Sequence, residues 1–227
     1  MSNLSTQLKS NDEHLLIRLA GRKQPEVAQR LIWAFTVFDK TLLQTSPGTI
    51  APLLDWWHQE ITHPTHLKSL GLPFNHALHV WLVEDFWPAY QQLLLTVSQV
   101  DSQNEALSLI RHKSGQLLLD SHSTANVSLE KPLLSSLGIA WLLRKAIVNR
   151  NHPLRHATLI EFGMNADEIQ KDLQRCLSSI TKDQVVIRAH ITLLQLWVNT
   201  NRNHLTEDAS FFFEPGWLQK WWKIARL

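Results

Sequence analysis

Apolar residues recur at helical spacing along almost the whole chain, and no stretch alternates apolar and polar residues as a half-buried strand would. This periodicity predicts helices at 12–20 (DEHLLIRLA) and at 25–44 (PEVAQRLIWAFTVFDKTLLQ), the second with Pro25 near N1 and Glu26 in its first turn. SPGTIAPLLDWWHQEI at 46–61 is stopped by His63-Pro64, and 75–100 is interrupted or kinked at Pro88. Further helices are expected at 101–122 with Asp101 as cap, and at 128–149 with Ser128 as cap and Pro132 in the first turns. Asn165 caps 166–180, Thr181 caps 182–200, and a short helix covers 215–227. The seven Gly and nine Pro fall mostly between these segments, with no repeat, linker or composition break. The expected fold is therefore a single all-α domain over residues 1–227, with 1–10 disordered and 214–227 a Trp-rich C-terminal helix.

A chain of 227 residues with 44% hydrophobic content can fill a sizeable core. Its net charge of +2, from 22 basic and 20 acidic residues, lacks the concentrated basic face of a nucleic-acid-binding protein. Cys176 is the only cysteine, which excludes an internal disulfide and a cysteine-based zinc site and points to a reducing compartment. The start, MSNLSTQLKSNDEH, lacks the apolar core of a signal peptide, and no run of about 18 apolar residues occurs. The expected location is the cytoplasm or an organelle matrix.

The twelve His do not form a ligand pattern. His58, Glu60, His63 and His66 crowd together, but Pro64 separates the last two from a common helix face, and HExxH spacing is absent. His76 and His79 share a helical spacing of three and are read as flanking a core stripe. Neither a GxSxG motif nor a glycine-rich phosphate loop is present. Metal-assisted diphosphate chemistry needs carboxylates paired on one helix face, because Mg²⁺ takes oxygen ligands and bridges them to phosphate. Only Asp101/Glu105 and Glu168/Asp172 have the spacing of four, and both lie early in predicted helices, where acids cap and oppose the helix dipole.

The stretch GIAWLLRKAIVN, residues 138–149, has the small residues Gly138 and Ala140 of a helix lining a pocket, yet then carries Arg144, Lys145 and Asn149. Together with WAFTVFDKTLLQ, LLDWWHQEI, EALSLIRHKSGQLLLDSH and LRHATLIEFGMNADEIQKDL, in that order, it resembles the squalene/phytoene synthase family over residues 25–200. The resemblance implies an isoprenoid-synthase-like bundle around a central apolar cavity. Its expected lining is Phe35, Asp39, Lys40, Gly115, Gly138, Ala140, Trp141, Arg144 and Lys145.

The family's two aspartate motifs are missing. Lys40 and Gln44 stand where the first pair belongs, and Asn149 stands at the second acid position. Loss of those Mg²⁺ ligands removes the electrophilic activation of the diphosphate. The pattern is similar to a branch of the family that has lost the same aspartates and assists assembly of mitochondrial complex I. The implied function is a non-catalytic assembly or accessory factor, without catalytic residues, metal or cofactor, holding an isoprenoid or lipid and serving a protein client at the membrane. Two alternatives stand beside it. One is an active prenyl transferase using Asp39, Asp55, Glu84 or Asp85; the other is an unrelated helical interaction module.

Ten Trp against one Tyr is the compositional oddity, and most Trp are expected in the core. The tail PGWLQKWWKIARL places Trp217, Trp221 and Ile224 on one face, with Leu218 and Trp222 alongside and Lys220, Lys223 and Arg226 opposite. That pattern suits either a closing helix docked on the core or a peripheral membrane or partner surface.

Overall fold

The computed structural model describes residues 12–39, 50–63, 72–99, 104–123, 127–148, 155–202 and 215–226. Among them the chain is all-α, with no strand. The elements are α1 (Asp12–Lys23), α2 (Pro25–Leu31, running on as a π-helical stretch, Ile32–Asp39) and α3 (Ile50–Thr62). Next come α4 (His76–Val80, π-helical Trp81–Phe86, then Trp87–Gln99), α5 (Asn104–His122) and α6 (Lys131–Val148). The last are α7 (Arg155–Ser179), α8 (Val185–Asn201) and α9 (Trp217–Ile224). The expectation of disorder at 1–10, and the positions Lys40, Gln44, His66, Asp101 and Asn149, lie outside the described residues, as do the side chains of Asp39, Glu105, Lys145 and Trp217.

Local chemistry explains several boundaries. Pro25 occupies the first turn of α2, where its missing N–H costs nothing. Asn75 caps α4, its side-chain oxygen accepting from the Leu78 N–H at 2.9 Å. Pro88 does not end α4. It lacks an N–H, its ring crowds the carbonyl four residues back, and the helix responds by widening: Trp81–Phe86 is π-helical and the Trp87 N–H reaches the Leu82 carbonyl.

Three expected caps are corrected. Ser128 does not cap α6, which begins at Lys131 with the Leu134 N–H on the Glu130 carbonyl at 3.0 Å. α8 begins at Val185 rather than after Thr181, because Thr181–Gln184 forms a turn closed by the Gln184 N–H on the Thr181 carbonyl at 3.2 Å. Arg188 then donates to the Leu177 and Ile180 carbonyls at 2.6 and 2.7 Å, satisfying the open end of α7. Asn165 sits at a kink inside α7 (φ −127°, ψ 15°), and its amide donates backwards to the Glu161 carbonyl at 3.2 Å.

Among the described residues, three apolar clusters hold the helices together. Trp33, Trp57, Trp81, Phe86, Trp87 and Tyr90 centre the first, which joins the π-helical end of α2 to α3, α4 and α5. Trp33 and Trp57 meet edge to face at 6.3 Å between centroids, and the Trp33 N–H donates to the Pro73 carbonyl at 2.9 Å. The second joins α6, α7 and α8 through residues such as Leu137, Phe162, Leu173 and Leu194. The third packs α1 and α2 on α8 through Leu16, Leu31 and Val186.

Candidate functional site

The expected pocket residues do not converge on one space. Gly115 on α5 and Gly138 on α6 mark a backbone-to-backbone crossing. A Cβ on Gly115 would lie 2.8 Å from the Leu134 carbonyl carbon, and one on Gly138 would lie 2.8 Å from both the Arg111 carbonyl carbon and the Gly115 nitrogen. Neither leaves room for a ligand chain, so both are corrected from pocket lining to helix contact. Ala140 is buried on another side of α6, within the α6–α7–α8 cluster.

Phe35 and Trp141 do meet in a central void, which both π-helical stretches border. Ala34 and Phe35 come from the first and Phe86 from the second, with Tyr90, Ser121 and His122 around them. Its volume is about 20 Å³. That is room for a single water, whereas ligand pockets run to about 300–1,000 Å³.

Beside this void lies a feature absent from the sequence reading, a buried histidine pair. His122 Nδ1 stands 2.6 Å from the Leu118 carbonyl, and His190 Nδ1 stands 2.6 Å from His122 Nε2. In the neutral pair the carbonyl contact puts the His122 proton on Nδ1, so His190 donates to the remaining nitrogen. Phe35 packs its ring edge to face against both, at 5.6 and 5.8 Å. Burial, partly offset by the carbonyl bond, pushes the His122 pKa down to about 4.

Arg144 points into neither the void nor solvent. It belongs to a buried ionic cluster that ties four helices together. Its Nε lies 3.1 Å from Asp12 Oδ2, and its guanidinium also pairs with Glu13, both acids being at the start of α1. Asp12 Oδ2 accepts from the Trp197 N–H of α8 at 2.8 Å, while its Oδ1 pairs with Lys220 of α9 at 2.8 Å. Two acids and two bases balance. Burial opposes the charge on Arg144, but Glu13 and Asp12 outweigh it and hold the guanidinium pKa above its usual value.

Lys220 corrects the reading of the tail. Its spacing with Lys223 and Arg226 puts it opposite the apolar face, yet it is 1% exposed, with its ammonium 5.0 Å from the Trp197 ring centroid. The aromatic residues face outward instead: Trp221 is 47% and Trp222 54% exposed, and Leu218 73%. The ammonium is held by the buried Asp12 carboxylate, which would be left with one partner fewer if Lys220 turned outward.

The paired acids Glu168 and Asp172 are also reassigned. They line a polar groove of about 430 Å³ between α5, α6 and α7, beyond the kink at Asn165, together with Arg111, Lys131, Ser136 and Glu161. Asp172 is buried and accepts from Ser136 at 2.7 Å and from Arg175 at 3.1 Å, so it bridges α6 and α7 rather than capping a helix. Glu161 is taken up in an ion pair with Arg111. Among the described residues no group of three His, Cys, Asp or Glu is arranged to hold a metal ion. His79 hydrogen-bonds the Ile61 carbonyl at 2.9 Å and His63 the Gln59 carbonyl at 2.8 Å, both structural contacts. The Cys176 thiol, buried and beside Asp172, is pushed up to about 12 and supplies no thiolate at neutral pH. Asp55, Glu84 and Asp85 are exposed on α3 and α4.

No family model, no curated protein and no solved structure matches this chain.

Proposed function

We propose that the protein is a non-catalytic accessory or assembly factor that works through its surface. The observation carrying this reading is the commitment of the candidate pocket positions on α6 to holding the fold. Gly138 is filled by the α5 backbone, and Arg144 is consumed by Asp12 and Glu13. The motif order shared with squalene/phytoene synthases supports descent from an isoprenoid-handling ancestor, and Lys40, Gln44 and Asn149 in place of the metal-binding acids support loss of its chemistry. An interior isoprenoid draws no support from a void of about 20 Å³.

The test is incubation of the full chain with Mg²⁺ and farnesyl or geranylgeranyl diphosphate. The expected result is no pyrophosphate release and no Mg²⁺-dependent binding by calorimetry. Release of pyrophosphate would overturn the reading in favour of a prenyl transferase using other acids. Mass spectrometry of an organic extract of the purified protein is expected to find no stoichiometric isoprenoid.

A further inference from the structure

The last helix has three faces. Around α9, successive residues turn by about 100°. Lys220 and Ile224, one turn apart, point inward: Lys220 into the ionic cluster and Ile224 against the α1–α2–α8 core. The opposite arc carries Trp221, Ala225, Leu218 and Trp222, all exposed. Along one edge of that arc lie Arg226, Gln219 and Lys223, also exposed, with the Arg226 guanidinium 4.3 Å from the Trp222 ring centroid. From Pro215 to Leu227 there is no acidic residue. The helix is therefore fixed by a buried keel while an apolar face and a cationic edge are held outward.

We infer that this face docks on an anionic membrane surface, with α9 lying flat in the headgroup region. Tryptophan is suited to that depth because its ring is largely apolar while its N–H still needs a polar partner. Lys223 and Arg226 at the edge sit where lipid phosphates lie, and each cation near an anionic leaflet adds to the attraction. A protein partner fits less well. Three large apolar side chains on an 8-residue helix fall well short of the roughly 800 Å² per partner buried in a standard interface. Insertion across the bilayer is not involved, since none of the described helices is long and apolar enough to span it. The fixed keel gives the docking a defined geometry: the body of the protein is held at one orientation to the surface instead of swinging on a flexible tail. This inference goes beyond the accessory role and does not depend on the chain being non-catalytic.

The experiment is flotation of the full chain with vesicles of phosphatidylcholine alone and of phosphatidylcholine with phosphatidylserine. The protein is expected to float with the anionic vesicles only. Two double variants, Leu218→Ser with Trp222→Ser and Lys223→Glu with Arg226→Glu, change exposed side chains and are expected to keep the thermal melt of the parent. Each should lower vesicle partitioning by about tenfold or more. Failure of the parent chain to float, or equal flotation of folded variants, would overturn the inference. So would a parent dimer, seen by light scattering, that the Leu218/Trp222 variant converts to monomer, because the face would then belong to a second copy.

Discussion

Gly138 and Arg144 lie fewer than two turns apart on α6, and they fix the same helix by opposite means. Gly138 works by absence: with no side chain, the α5 backbone comes close enough that any added atom would collide with it. Arg144 works by charge, drawing Asp12 and Glu13 of α1 to it, while Asp12 in turn takes the Trp197 N–H and the Lys220 ammonium. The first contact is intolerant of volume and indifferent to pH or salt. The second tolerates small shifts but cannot lose one partner without stranding a buried charge. One helix thereby anchors both its neighbour in sequence and the two ends of the described chain.

The largest effect that would break this comparison is expected at the ionic end. Arg144→Met removes the guanidinium that pairs with both Asp12 and Glu13, and should cost about 3–5 kcal/mol in urea denaturation. A cost below about 1 kcal/mol would mean that the cluster does not hold α1 and α9 in place.

The next effect is a pH dependence arising elsewhere in the core. His122 stays neutral in the folded protein down to about pH 4, whereas in the unfolded chain it titrates near 6.5. The unfolded state therefore binds the proton first. This contribution is complete above pH 6.5, declines as pH falls towards 4, and then levels off, for a total of roughly 3 kcal/mol. Asp120, whose pKa burial raises, works in the opposite direction over the acid part of that range. Urea midpoints measured from pH 7 to 4 should fall, and a flat profile would remove the buried neutral pair.

At the glycine crossing, Gly138→Ala should destabilise by about 1–3 kcal/mol, despite alanine's better helix propensity. Gly21 is the matched control, since nothing lies within 4 Å of a Cβ built there and it is exposed on α1. Gly21→Ala should stabilise by about 0.5–1 kcal/mol. If both substitutions move stability the same way, close packing at Gly138 is not what requires glycine. The smallest effect belongs to the outward face of α9: Leu218→Ser should change the melt by no more than about 0.5 kcal/mol, because the side chain is 73% exposed.

How much of this was legible in the sequence depended on whether a property was local. Helical spacing placed most of the elements, Pro25 marked one of the starts, and Trp33, Trp57, Trp81, Trp87 and Trp197 went to the core as their type suggests. Of the boundaries that failed, those at Thr181 and Asn165 were decided by groups from other turns, Arg188 in one case and the Glu161 carbonyl in the other. Arg144 inside GIAWLLRKAIVN reads from the sequence as pocket lining, whereas the structure pairs it with two buried acids. Which acids would answer it, more than a hundred residues earlier in the chain, was not written there.

The sequence by itself determined the all-α class, the positions of most helices and the amphipathic character of the tail, since each follows from residues within a turn or two of one another. Only the tertiary structure decided that Gly115 and Gly138 face each other, that His122 and His190 pair, and that Lys220 turns inward while Trp221 and Trp222 turn out. These are choices between faces of helices whose periodicity is already satisfied. Each is settled by which distant helix supplies a backbone, a ring nitrogen or a carboxylate at the point of contact, and a periodic pattern along one chain does not encode that.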